Sequence, residues 1–159
     1  MSISEADLVH LRRAVVLARE AGEAGDAPFG SVLVDGAGIE RFADRNREVS
    51  SGDATRHPEF EIARWAAAHL TPAERASATV YTSGEHCAMC AAAHAWVGLG
   101  RIVFAASAAQ ISSWRETLGG PPAAVAVLPI AAVAPGLVVE GPVPEFIDEV
   151  RSLIERAMA

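Results

Sequence analysis

Thr79-Val80-Tyr81-Thr82-Ser83-Gly84 runs straight into Glu85-His86-Cys87-Ala88-Met89-Cys90, and then into an alanine-rich stretch to Val97. The first six residues read as a buried strand ended by Ser83-Gly84. Ala88 to Val97 reads as a helix stopped at Gly98 and Gly100, and Ile102 to Ala106 as the next strand. Strand, helix, strand is the order from which α/β sheets are built.

Upstream, Leu8, Leu11, Val15 and Ala18 recur at helical steps between Arg12, Arg13 and Arg19, so Glu5 to Ala21 is an amphipathic helix closed by Gly22, Gly25 and Pro28. The apolar run Phe29 to Val34 stops at Asp35-Gly36, a hairpin signal, before a second strand over Ile39 to Asp44. A polar loop, Asn46 to Arg56, leads to His57-Pro58-Glu59, where Pro58 suits the first turn of a helix reaching about Leu70. After Thr71-Pro72 a short helix or turn returns the chain to Thr79.

Downstream, Ala108 to Leu118 reads equally as helix or loop, and Gly119 to Val127 is the stretch expected to be most mobile. Leu137 to Glu140 is a fifth strand, and Pro144 to Met158 a terminal amphipathic helix. The whole predicts a three-layer α/β/α sandwich around a central five-stranded mixed sheet. No internal repeat is evident. At 159 residues, 51% apolar and 21% charged, the chain has material for one core, so residues 1–159 are read as a single domain.

Mean hydropathy is +0.24, but the excess is carried by 33 alanines and no stretch approaches the roughly 20 strongly apolar residues of a spanning helix. Membrane association is not expected. All 13 basic residues are arginine, which excludes a Schiff-base lysine and a phosphate-loop lysine. A net charge of −7 disfavours nucleic acid as partner. Met1 to Glu5 carries no signal-peptide pattern, so the expected location is cytoplasmic.

Cys87 and Cys90, the only cysteines, stand three residues apart at a helix start, on one face and at the positive end of the dipole. Two such thiolates are half of a tetrahedral zinc site. Three readings are open. A redox pair would need no other group, and a closed structural zinc module would need two more ligands. A catalytic zinc would need one more and a free position. Of the five histidines, His10, His69 and His94 lie inside helical patterns and suit packing, and His86 adjoins Cys87 directly. His57 alone has a carboxylate, Glu59, two residues on in the same turn. A neutral imidazole can bind zinc there while the carboxylate moves a proton.

His57-Pro58-Glu59 followed by Cys87-Ala88-Met89-Cys90 resembles the H-x-E and C-x-x-C signature of zinc nucleobase deaminases. Pro28-Phe29-Gly30-Ser31-Val32-Leu33-Val34, Asn46 and Thr79 to Gly84 extend the resemblance to the cytidine deaminase-like superfamily, and within it to the guanine deaminase and tRNA adenosine deaminase branch. It covers about residues 5 to 107. It implies one Zn2+ per chain held by His57, Cys87 and Cys90, with Glu59 as proton shuttle. It further implies that Asn46 meets the edge of the base, that Phe29 packs on the ring, and that the protein is a homodimer. Pro58 stands where the family usually has Ala, and His86 where it has Pro. His86 is therefore a candidate contact to a metal ligand or to the substrate. Trp114 and Glu116 are weaker pocket candidates.

Charge bears on the substrate. Between Arg41 and Arg64 five arginines balance five acidic residues, and Glu140 to Ala159 carries two arginines against five acidic residues. That tail is a poor match for RNA. The expected reaction is release of ammonia from a small-molecule base or related ring: guanine, isoguanine, cytosine or an amino-s-triazine. A tRNA adenosine deaminase is the alternative, and a non-catalytic structural zinc module the second.

Overall fold

Asp35-Gly36 does turn the chain between two antiparallel strands. In the computed structural model, which describes residues 2–159, β1 (Gly30–Val34) pairs with β2 (Glu40–Arg45) from Gly30 opposite Arg45 to Val34 opposite Glu40. Met1, where the reading of the N-terminus begins, lies outside the described residues. β3 (Thr79–Gly84) adds antiparallel to the other edge of β1, and β4 (Arg101–Ala106) adds parallel to β3. A two-residue β5 (Val139–Glu140) closes the sheet parallel to β4, giving the order β2-β1-β3-β4-β5. The sheet is five-stranded and mixed, as expected, although the fifth strand is half as long as Leu137 to Glu140 suggests.

α1 (Glu5–Glu23) and α8 (Pro144–Ala157) cover one face. Their apolar stripes, Leu11, Val15 and Ala18 from the first and Phe146, Val150, Leu153 and Ile154 from the second, are buried with Val32, Tyr81 and Val103 of the sheet. Gly30 lets α1 approach β1 closely: a Cβ there would sit 2.5 Å from the Ala14 carbonyl oxygen. On the other face α3 (Pro58–His69) and α5 (Ala88–Trp96) pack together, and Ile62, Ala63 and Ala66 of α3 meet Leu33 and Val80. Three layers result.

The remaining helices are short connectors. The polar loop contains one, α2 (Glu48–Ser51), ended by Gly52 at φ 67°. α4 (Pro72–Ser77) has a capping box made by Thr71 and Glu74, and α6 (Ala108–Thr117) another made by Ser107 and Gln110, which settles Ala108 to Leu118 as helix. α7 (Ile130–Val133) was not evident in the sequence, its four residues being too few to show a period. No helix among the described residues is long and apolar enough to cross a membrane.

One polar network crosses the layers. Asp7, buried in the first turn of α1, accepts from Tyr81 Oη at 2.7 Å and from Arg101 Nη1 at 2.6 Å, and Arg101 also pairs with Glu140. Burial works against the Asp7 carboxylate, but the bonds from Arg101, Ser4 and Tyr81 win and hold it well below the usual carboxylate range. Its contribution is thus complete above the ordinary carboxylate pKa and is lost only as pH falls through the lowered folded value. Asp7→Ala leaves Tyr81 Oη and half of the Arg101 guanidinium without their partner. It should cost about 3 kcal/mol in urea unfolding at neutral pH. A cost within roughly 0.5 kcal/mol, the range of an ordinary surface substitution, would show that the network is dispensable.

Candidate active site

His57 and Cys87 occupy equivalent places in two different helices. Each is the N-cap residue, His57 of α3 at φ −86° and ψ 138°, Cys87 of α5 at φ −67° and ψ 171°. Neither uses its side chain to cap, so the imidazole and the thiol are free for other work. Cys90 follows one turn into α5 and is fully buried. The end of β3 delivers Cys87, and the packing of α3 against α5 brings His57 to it.

His57 Nδ1 lies 3.6 Å from Cys87 Sγ and 3.4 Å from Cys90 Sγ. The three donor atoms all fall within 4.8 Å of one another. Arms of about 2.3 Å to sulfur and about 2.0 Å to nitrogen at the tetrahedral angle require a nitrogen–sulfur edge of about 3.5 Å. The residues therefore fit a zinc ion in spacing and in donor type, with Nδ1 as the imidazole ligand.

The three side chains shift one another's protonation. Hydrogen bonding from Cys90 and from His57 pulls the Cys87 thiol down to about 4, while the bond to Cys87 and the nearby Glu59 and Glu48 raise His57 to about 9. The Cys90 thiol is pushed up, first by its bond to Cys87 and then by burial and by Glu59.

Glu59, only 7% exposed, stands in the first turn of α3. Its Oε1 lies 2.8 Å from Ser31 Oγ and 2.9 Å from Thr82 Oγ1, hydroxyls from β1 and β3. Burial raises its pKa against the opposing pull of Ser31, His57 and Thr82. Ser31 and Thr82 are opposite one another in the β1–β3 register, which is why one carboxylate oxygen meets both.

Asn46 is 1% exposed, and both ends of its amide are engaged by Glu48: Asn46 Nδ2 donates to Glu48 Oε1 at 2.9 Å, and Asn46 Oδ1 accepts from the Glu48 amide at 2.9 Å. Glu48 Oε1 is in turn 2.7 Å from His57 Nε2. The ring of Phe29 lies against Gly84, at the strand end that leads into Cys87, and packs on the α1–α8 core.

His86 is 1% exposed, with its ring edge-on to His94 at 5.4 Å, and neither of its ring nitrogens has a hydrogen-bond partner among the described residues. Burial keeps it neutral, its pKa far below the usual histidine value. Trp114 is half-buried on α6 against the α1–α8 core, and Glu116 is exposed. His94 bonds the Gly100 carbonyl, His69 the Trp65 carbonyl, and His10 lies beside Tyr81, so these three serve packing.

Ser31, Thr82 and Glu48 were missed in the sequence. Ser31 and Thr82 lie inside buried strands, where a polar residue at a core position is the signal to follow. Glu48 offered no signal, because only the turn of the loop through α2 carries it to His57.

The Cys87 thiol is held low while its neighbours hold protons on His57 and Cys90, so zinc, which binds thiolates and a neutral imidazole, must displace protons shared by the cluster. Calorimetric titration in buffers of different ionisation enthalpy should give at least about two protons released per zinc bound, with affinity falling as pH drops. Release of one proton or none, or stoichiometric zinc retained by Cys87→Ala, would contradict the assignment of the ligands.

Residues 4–106 match the family model described as the cytidine and deoxycytidylate deaminase zinc-binding region. A probable cytosine deaminase of Schizosaccharomyces pombe is 34% identical over 122 residues, 76% of this chain and 72% of the relative. A tRNA-specific adenosine deaminase of Agrobacterium fabrum is 39% identical over 94 residues, 58% of this chain and 60% of the relative. A guanine deaminase of Bacillus subtilis is 39% identical over 98 residues, 60% and 62% of the two chains. A solved guanine deaminase structure from that organism superposes over 91% of each chain at a TM-score of 0.57 and 27% identity. With a three-layer fold, a zinc-compatible cluster of His57, Cys87 and Cys90, and a match over residues 4–106, the chain belongs to the cytidine and deoxycytidylate deaminase zinc-binding family.

Proposed function

We propose that this chain is a zinc-dependent hydrolytic deaminase, one domain over residues 1–159, that removes the exocyclic amine of a free nucleobase or related ring and releases ammonia. The observation that carries this reading is Glu59. It is a buried carboxylate two residues from His57, fixed by two hydroxyls and close enough to Cys90 to raise its thiol. A structural zinc module has no use for such a group, and a redox pair has none either.

His57, Cys87 and Cys90 hold the metal in this reading. Zinc, when bound, supplies Lewis acidity that makes water a nucleophile near neutral pH. Glu59 takes a proton from the attacking water and returns it to the departing amine. Ser31 and Thr82 both bind Oε1, so the mobile proton is assigned to Oε2. Burial, by raising the Glu59 pKa, favours the protonated state needed to deliver that proton. Phe29 offers an apolar ring beside the strand end, and Asn46, whose amide nitrogen has two hydrogens, keeps one for the base edge while the other serves Glu48. His86, turned to His94, enters as a packing residue next to Cys87, and Trp114 as part of the core.

Small-ring substrates are supported by charge. The tail residues Glu145, Glu149 and Glu155 are engaged with Arg12, Arg19 and Arg151, so these three cations are already neutralised. RNA asks for several free cations. The identity to the tRNA-specific adenosine deaminase favours the second reading, an adenosine in a tRNA loop. We assign the protein to a homodimer as well: Trp96 is 89% exposed on α5, next to Ala92, Ala95 and Val133 in a shallow depression.

Zinc-loaded protein should release ammonia from at least one of guanine, isoguanine, cytosine or an amino-s-triazine, with little dependence on salt. Glu59→Gln should keep its zinc and lose about 10²–10⁴ in turnover. Inert bases together with conversion of a tRNA anticodon stem-loop would replace this reading by the second, and near-native turnover in Glu59→Gln would remove Glu59 from the mechanism. Sedimentation at micromolar concentration should show a dimer that Trp96→Asp dissociates, and a monomeric wild type would refute that assignment.

A further inference from the structure

A metal-bound histidine has a second nitrogen, and what that nitrogen meets decides which tautomer the ring adopts and how firmly it points. Here Nδ1 faces both sulfurs, so Nε2 must carry the ring proton, and its neighbour is Glu48 Oε1 at 2.7 Å. Glu48 is not loosely placed. Its carboxylate accepts from Asn46 Nδ2 and its own amide donates to Asn46 Oδ1, a two-point brace from a residue that is 1% exposed.

The brace is itself tied to the body of the protein. The Asn46 amide donates to the Phe29 carbonyl at 2.9 Å, and the Arg47 amide to the Arg56 carbonyl at 3.1 Å. Two residues beyond Glu48, both the amide and the hydroxyl of Ser50 donate to Asp26 at 2.8 Å. The Asp26 side chain is fully buried and also takes Arg45 Nη1 at 3.1 Å. The backbone of α2 thus links two hydrogen-bonded ends, Ser50 held by Asp26 and Glu48 held by Asn46 against the ring of His57.

We propose that Glu48 is the positioning residue of the metal centre, fixing the Nε2–H tautomer and the ring direction of His57, and that Asn46 acts on the metal through Glu48 in addition to any contact with substrate. A carboxylate in this position orients a metal-bound imidazole and strengthens it as a donor; loss of such partners typically costs about 10–100-fold in metal affinity. The inference rests on the zinc site and not on the substrate, since affinity is measured with zinc alone. Its failure would leave the deaminase reading standing, and the converse also holds.

The test is competition for Zn2+ against a chromophoric chelator at neutral pH, with the full chain and no substrate. Glu48→Ala should bind zinc about 10–100-fold more weakly than wild type. Glu48→Gln, whose amide oxygen can still accept from Nε2, should stay within roughly fivefold, and Asn46→Ala should fall between the two. The Co2+-substituted Glu48→Ala protein should show shifted visible bands, while the melting temperatures of the metal-free variants match metal-free wild type. Zinc affinity of Glu48→Ala within about twofold of wild type would overturn the proposal. So would Glu48→Gln as weak as Glu48→Ala, or a metal-free Glu48→Ala that melts as far below wild type as its loaded form does.

Discussion

Two helix starts are aimed at one another, and the chemistry of the molecule depends on that convergence. α3 begins at His57 and α5 at Cys87, both as N-cap residues with unused side chains, on the same face of the sheet. The positive ends of two helix dipoles therefore meet where two sulfurs and a carboxylate are gathered, and each dipole favours the anionic form of what it faces. Neither helix is held there by its own propensity. Ile62, Ala63 and Ala66 fasten α3 to Leu33 and Val80, so the core beneath the site sets the distance between His57 and the cysteines.

Around that convergence the sheet supplies polarity from below. β1 and β3 are buried along nearly their whole length, and a hydroxyl in such a strand is costly unless it is bonded. Ser31 and Thr82 meet this demand by bonding Glu59, and a buried carboxylate meets its own demand by accepting from them. The strand register that places Ser31 opposite Thr82 is thus part of the site. From the other side Glu48 and Asn46 hold the outer edge of His57. Three of the side chains that fix the functional groups, Ser31, Thr82 and Glu48, thus come from elements outside α3 and α5.

Much of this was legible in the sequence because it is local. Apolar spacing revealed α1 and α8, Pro58 the start of α3, Asp35-Gly36 the hairpin, and His57-Pro58-Glu59 and C-x-x-C lie within single turns. What stayed hidden depends on contacts between distant segments. β5 is two residues long because only Val139 and Glu140 pair in register with β4, a fact about the path of the chain and not about Leu137 to Glu140 themselves. α2 and Glu48 were concealed in a polar loop whose fold is dictated by Asp26, some twenty residues earlier. Asn46 was legible as a polar group near the site, yet its bond to Glu48 was not. His86 adjoins Cys87 in sequence, and its edge-on contact with His94 was not legible there.

The account stands on an open zinc centre with one imidazole and two thiolates, and X-ray absorption at the zinc edge reads that ligand set directly. Zinc-loaded wild-type protein should show two sulfurs at about 2.3 Å and two lighter donors at about 2.0 Å, with the outer-shell scattering of a single imidazole. Scattering from two imidazoles would mean that a second histidine closes the site, and with no position left for water the centre would be structural rather than catalytic.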